Sequence, residues 1–137
     1  MGYGANARQA NRYREAEILS ATPGQLVVLL YDHLLVNLTR IHHLSGAEHL
    51  SARSDTLEKC RAVITELRVT LDEGRGGELA ERLASLYQFI LSELTVMGIK
   101  PNLARLDRVI RIVQDLRDAF AQAVQVAEPS GRQAAAV

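Results

Sequence analysis

Four histidines, one cysteine and a glycine-rich stretch are the residues of this chain that could carry chemistry. The histidines stand at 33, 42, 43 and 49. A metal centre built on helices needs two ligands at i and i+4, or Glu-x-x-His pairs on facing helices, and neither spacing occurs. His33 and His42 fall on opposite sides of a helix, and His42 and His43 point apart, so all four read as surface or helix-end residues. Cys60 sits on an apolar stripe with no histidine placed to activate it, which makes it a buried structural thiol. Asp72-Glu73-Gly74-Arg75-Gly76-Gly77-Glu78 offers glycines at a helix start, where anions can bind. A helix rather than a strand precedes it and acidic residues flank it, so it matches neither a P-loop nor a dinucleotide fingerprint. It reads as a tight interhelical turn. Arg61, Arg68, Arg105, Arg108, Arg111 and Arg117 fall mainly on polar faces. No catalytic constellation emerges, and the expectation is a protein without enzymatic activity, cofactor or metal.

The elements that position these residues are helices. Thr22-Pro23-Gly24-Gln25 is a helix start, with Thr as N-cap, Pro at the first helical position and Gln reaching back. The helix it opens runs to about Leu44. Ser45 to Ser54 is polar and reads as a connection. A second helix is predicted from near Asp55, with Leu57, Cys60, Ile64, Leu67 and Leu71 at 3–4 spacing. The next carries Leu79, Leu83, Leu86, Ile90, Leu94 and Met97, and ends at Gly98 and Pro101. Asn102 caps the last helix, which carries Leu106, Ile110, Val113, Phe120 and Val124, with Val109 and Leu116 widening the stripe. The fold class is therefore all-α: an antiparallel up-down four-helix bundle with a short N-terminal helix packed across it. Residues 1–127 make one domain. Residues 1–19 are its mobile start and short helix, with Tyr13, Ala16 and Ile18 as contact points, and 128–137 a disordered tail.

Bulk properties narrow the class. The chain has 137 residues, sixteen basic and sixteen acidic, and no net charge. A nucleic-acid binder would need a basic surplus. Asp32 and His33 break the longest apolar run, so no membrane span is expected. The N-terminus has no signal-peptide core, a single cysteine makes no internal disulfide, and a cytoplasmic protein is expected.

The long first helix has more apolar faces than a bundle core requires. At about 100° per residue, Val27, Leu30, Leu34, Leu38 and Ile41 form one stripe. Val28, Tyr31 and Leu35 form a second beside it. Similar flanks follow on two later helices: Ala80, Ala84, Tyr87 and Leu91 on one, Ile112, Leu116, Ala119, Ala123 and Val126 on the other. Alanines among larger residues make shallow grooves that a partner helix can enter. Three flanked helices point to a continuous binding groove, because large apolar patches on a protein surface have a use.

Three blocks of residues resemble a known family. Asn11-Arg12-Tyr13, Ser20-Ala21-Thr22-Pro23-Gly24-Gln25-Leu26 and Leu30-Tyr31-Asp32 are similar to the start of the flagellar secretion chaperone FliS family. Glu66-Leu67, Leu71-Asp72, Gly76-Gly77-Glu78, Leu83 and Leu86-Tyr87 resemble its second block, and Phe120 stands where its last helix carries an aromatic residue, commonly Trp. One segment departs: Met97-Gly98-Ile99-Lys100-Pro101-Asn102 replaces a more usual Ala-Asn followed by acidic residues, so no loop function carries over there.

The resemblance implies a four-helix export chaperone of the bacterial cytoplasm. It would hold the C-terminal segment of flagellin, prevent premature polymerisation and support type III flagellar secretion, with the N-terminal tyrosine segment lying over part of the client surface. Other flagellar export or regulatory proteins are further candidate partners. By that resemblance, Tyr13, Leu26, Leu30, Tyr31, Leu71, Leu86 and Tyr87 carry over as family-pattern positions, several of them core rather than contact. With the flanks, the contacts among them make the expected client surface Tyr13, Leu26, Val28, Tyr31, Leu35, Ala80, Ala84, Tyr87, Leu91, Ile112, Leu116, Ala119 and Ala123. The rival reading is a helical scaffold or homodimer whose extra stripes pair with a second copy. A bundle enzyme with interior arginines is disfavoured, since Leu, Ile, Val and Cys fill the core stripes.

Overall fold

The computed structural model describes residues 8–13, 15–16, 21–71 and 73–136, with side chains for all but 73–76 and 128–136. Four long helices are α1 (Pro23–His42), α2 (Leu50–Val69), α3 (Glu73–Ile99) and α4 (Leu103–Ala136). α1 packs between α2 and α4, and α3 closes the ring by packing against both. With short connections, this is the up-down bundle expected from the sequence.

The helix starts follow local chemistry. Thr22 Oγ1 accepts the Gln25 N–H at 3.2 Å, and Gln25 Oε1 accepts the Thr22 N–H at 3.0 Å, a reciprocal capping box ahead of Pro23. Asn102 Oδ1 accepts the Arg105 N–H at 3.0 Å and caps α4.

The second helix begins earlier than its periodicity suggests. A 3₁₀ turn, Ala47–His49, leads straight into Leu50, so the segment read as a connection to Ser54 is half helix. Arg53 explains the difference. It is 6% exposed, and its Nη1 donates to the carbonyls of Leu44 at 2.8 Å and Gly46 at 3.1 Å. These carbonyls lie in the connection after α1, and a buried guanidinium in the next helix supplies their donor. Hydrophobic spacing cannot register such a residue.

The glycine-rich stretch is also more structured than a turn. Residues 73–76 are helical, and the chain then breaks at Gly77 (φ 54°, ψ −128°) before α3 continues. No heavy atom lies within 4 Å of the place a Cβ would occupy there. Backbone torsion alone, rather than crowding, calls for glycine.

The core corrects two stripe assignments. On α3 it runs through Ala80, Leu83, Tyr87, Ile90, Leu94 and Met97, an unbroken 3–4 alternation, while Leu79 is exposed and Leu86 only half-buried. Leu79-Ala80 and Leu86-Tyr87 are adjacent pairs, and either member fits a helical spacing. On α1, Tyr31 joins Leu34, Leu38 and Ile41 inside, while Val27, Leu30 and Leu35 pack at the margin. The described N-terminal residues are helical and all exposed. Tyr13 is 80% exposed, so neither it nor Ala16 is a buried contact point, and Ile18 lies outside the described residues. α4 continues past Glu128, where a disordered tail was expected from the composition; the side chains from there on are outside the description.

Buried acids make this core sensitive to alkali. Burial pushes the Cys60 thiol up from 9.0 to about 12. Burial, then the hydrogen bond shared with Tyr87, raises Tyr31, and burial raises Tyr87. Each group keeps its proton in the fold after the unfolded chain has released it, so stability present at neutral pH is lost as pH climbs. The urea midpoint is expected to stay level from about pH 7 to 8 and to fall above about pH 9. Cys60→Ala should remove the first part of that fall and leave the steeper part above about pH 10, where unfolded tyrosines ionise. A flat profile to pH 11 would show that these groups do not report on folding.

Candidate client-binding surface

The first part of the surface is a cleft between α1 and α4. One end is closed by a near contact: a Cβ on Gly24 would meet Val124 Cγ2 at 2.9 Å. Within it, Asp32 Oδ1 accepts from Arg117 Nε at 2.8 Å. The cleft encloses about 390 Å³, and Val28, Leu29, Ala121 and Val124 give it apolar walls. Asp32, and then Asp118, hold Arg117 in its charged form. Both partners are more than a third exposed, so the pair contributes at most about 1 kcal/mol to folding.

The second part lies on the opposite border of α4. Arg105 Nη1 reaches Glu93 of α3 at 3.4 Å, which fixes the side of α4 that borders α3. Ile112, Leu116, Ala119 and Ala123 follow Arg105 at spacings of 7, 4, 3 and 4, and so lie along that border. Ile112 and Leu116 are half-buried; Ala119 and Ala123 are exposed. On α3, Leu86 and Leu79 lie two and four turns back from Glu93 and face the same seam, with Phe89 beside them, itself exposed. Sequence reasoning missed this contribution because it placed those leucines in the core. The signal was present: a strict 3–4 alternation through Ala80 and Tyr87 leaves Leu79 and Leu86 outside.

The flank expected on α3 belongs elsewhere. Ala80 and Tyr87 are core, and Ala84 and Leu91 are half-buried. Thr95, one turn beyond Leu91, receives Arg61 Nη1 of α2 at 3.2 Å. Leu57 of α2 lies 3.5 Å from a Cβ placed on Gly98, one turn further again. Ala84 and Leu91 therefore border α2. The three flanks lie over three different seams, and the continuous groove expected from the sequence is not formed. Of the remaining expected contacts, Leu26 and Val28 are half-buried on α1, Leu35 packs on the core margin, Tyr31 is fully buried and Tyr13 stands exposed.

The two buried tyrosines meet. Tyr31 and Tyr87 share a hydrogen bond between their hydroxyl oxygens at 2.5 Å, and the Phe120 ring lies 5.4 Å from that of Tyr31. α1 and α3, opposite in the ring, are thus joined through the core by a polar contact.

A family model described as flagellar protein FliS matches residues 5–127. The chain belongs to the FliS family. Among curated relatives, the flagellar secretion chaperone FliS of Bacillus subtilis (strain 168) is 29% identical over 113 residues, covering 82% of this chain and 84% of the relative. That of Salmonella typhimurium (strain LT2) is 26% identical over 109 residues, 79% and 81% of the two chains. The flagellar secretion chaperone FliSB of Pseudomonas aeruginosa is 27% identical over 106 residues, 77% and 84%. The FliS-like motifs now have physical content in this chain. Leu30-Tyr31-Asp32 and Leu86-Tyr87 supply the tyrosine pair, and Asp32 supplies the ion pair to Arg117.

Proposed function

We propose that this protein is a non-enzymatic export chaperone that holds the C-terminal segment of flagellin in the bacterial cytoplasm, prevents its premature polymerisation and supports its type III secretion. The observation that supports this reading is the apolar character of both borders of α4: Val28, Leu29, Ala121 and Val124 on the α1 side, Leu116, Ala119, Ala123 and Leu79 on the α3 side. Exposed alanines let a client helix approach closely while leucines flank it. A client that folds as it binds uses part of its binding energy to order itself, which keeps the complex reversible enough for handover. Two separate seams suit a client of several short helices that wraps α4 from both sides.

Titration calorimetry of the full chain against a flagellin C-terminal fragment tests the reading. Saturable one-to-one binding with a negative heat-capacity change is expected. A stable dimer by light scattering that ignores flagellin would instead establish the homodimer.

A further inference from the structure

The Asp32–Arg117 pair interrupts an apolar track. On one side of it lie Val28, Leu29, Ala121 and Val124, the walls of the α1/α4 cleft. On the other lies Val36, one turn beyond Asp32 and two turns beyond Leu29 along the same line of α1. Val36 is 67% exposed. A segment lying along this line meets apolar surface, then the pair, then apolar surface again.

The pair has bonding capacity to spare. Arg117 Nε donates to Asp32 Oδ1 at 2.8 Å, and Arg117 Nη1 reaches Asp118 Oδ1 at 3.4 Å. Asp118 Oδ1 also accepts from Gln114 Nε2 at 3.0 Å. Among the described residues, Arg117 and Asp32 make no further side-chain hydrogen bond, so Arg117 Nη2 and Asp32 Oδ2 are unused in a cleft that both side chains line. The side chains are 34% and 43% exposed, and water serves them in the free chain. A segment that covers them removes that water, and its own atoms must replace the lost bonds.

The possible replacements differ sharply. A leucine supplies neither bond. A carboxylate accepts from Arg117 but is set against Asp32 and Asp118. An ammonium group donates to Asp32 but is set against Arg117. A side-chain amide carries an acceptor oxygen and a donor nitrogen together, without charge.

We propose that Asp32 and Arg117 determine which client segment the α1/α4 cleft accepts: an apolar stripe interrupted by one Asn or Gln. The amide oxygen accepts from Arg117 Nη2, and the amide nitrogen donates to Asp32 Oδ2. This rests on the client reading above and adds the chemistry that the cleft selects for. The pair contributes little to folding but discriminates on binding, because a wholly apolar segment leaves two charged groups covered and unpaired.

The test titrates four labelled helical peptides into the full chain. They share a leucine stripe and differ at one central stripe position, which is Gln, Leu, Glu or Lys. The Gln peptide is expected to bind about tenfold tighter than each of the others. Replacing the pair, with Asp32→Leu and Arg117→Leu together, should reverse the order of the Gln and Leu peptides, which a merely structural role would not do. Should that double variant unfold, Arg117→Lys keeps the charge but gives up the planar fork, and should erase the preference. Val36→Ser should weaken all four peptides severalfold and keep their order. A parent that prefers the Leu peptide, binds none of the four, or ignores Val36→Ser would overturn the proposal, as would an order that survives loss of the pair. A dimer by light scattering that the double variant disrupts would also overturn it, since a second copy would then occupy the cleft. A flagellin C-terminal fragment separates this from the client reading. Fragment binding that ignores the double variant overturns the role of the pair alone. Failure of the fragment to bind, with the peptide order intact, overturns flagellin as the client and upholds the selection.

Discussion

Ala119→Glu should weaken binding of a flagellin C-terminal fragment by about a hundredfold or more while leaving helicity and melting nearly unchanged. Ala119 is exposed on the α3 border of α4, so in the free protein a carboxylate there stays in water and costs within about 0.5 kcal/mol. Under an apolar client helix the same carboxylate loses its water without gaining a partner. An unpaired buried charge costs about 3–5 kcal/mol, which sets the expected loss. Ala84→Glu is the informative contrast. Ala84 is half-buried on the border with α2, so its carboxylate is trapped by the fold itself and the loss should appear in the melting temperature. Calorimetry for binding and circular dichroism for folding separate the two. If Ala119→Glu binds like the parent, the α3/α4 seam is not where the client lies.

The second large effect concerns the tyrosine pair. Tyr31→Phe or Tyr87→Phe leaves the other hydroxyl alone in a core that both rings occupy with almost no exposure. Either substitution should cost about 1–3 kcal/mol, the penalty for a buried polar group stripped of its partner. Replacing both removes the polar group altogether, and the double variant should be no less stable than the worse single one. Urea unfolding of the four proteins measures the coupling. Strictly additive losses would mean that the hydroxyls act independently and the contact between α1 and α3 has no energetic content.

Much of the architecture can be read from single residues. Thr22, Pro23 and Gln25 mark the start of α1, and Asn102 marks that of α4, because capping is local chemistry. Cys60 on its stripe is a buried thiol, as its neighbours imply. What was not legible depended on tertiary context. Arg53 reads as a loop residue until the carbonyls of Leu44 and Gly46 are placed beside it. Tyr31 and Tyr87 read as amphipathic flank residues, since a phenol suits a surface; each becomes a core residue only because the other meets it there. Ala80 was read into the flank and Leu79 into the core, as side-chain size suggests, and the regular alternation of α3 reverses them. These exchanges also redistribute the proposed client surface, which loses both tyrosines and Ala80 and gains Leu79 and Leu86.

The pairing of α1 with α4 has a consequence for the order of events at synthesis. Along their length, beside the Tyr31–Phe120 ring contact, these helices meet at Gly24 against Val124, Asp32 with Arg117, and His42 with Asp107. The middle link joins residues 85 positions apart. A chain leaving the ribosome exposes α1 first and must wait for nearly its whole length before α4 can meet it. α2 and α3 can pair with their neighbours while translation continues, but the cleft beside α1 and both borders of α4 come into being last. The proposed client surface therefore forms only once α4 has been made.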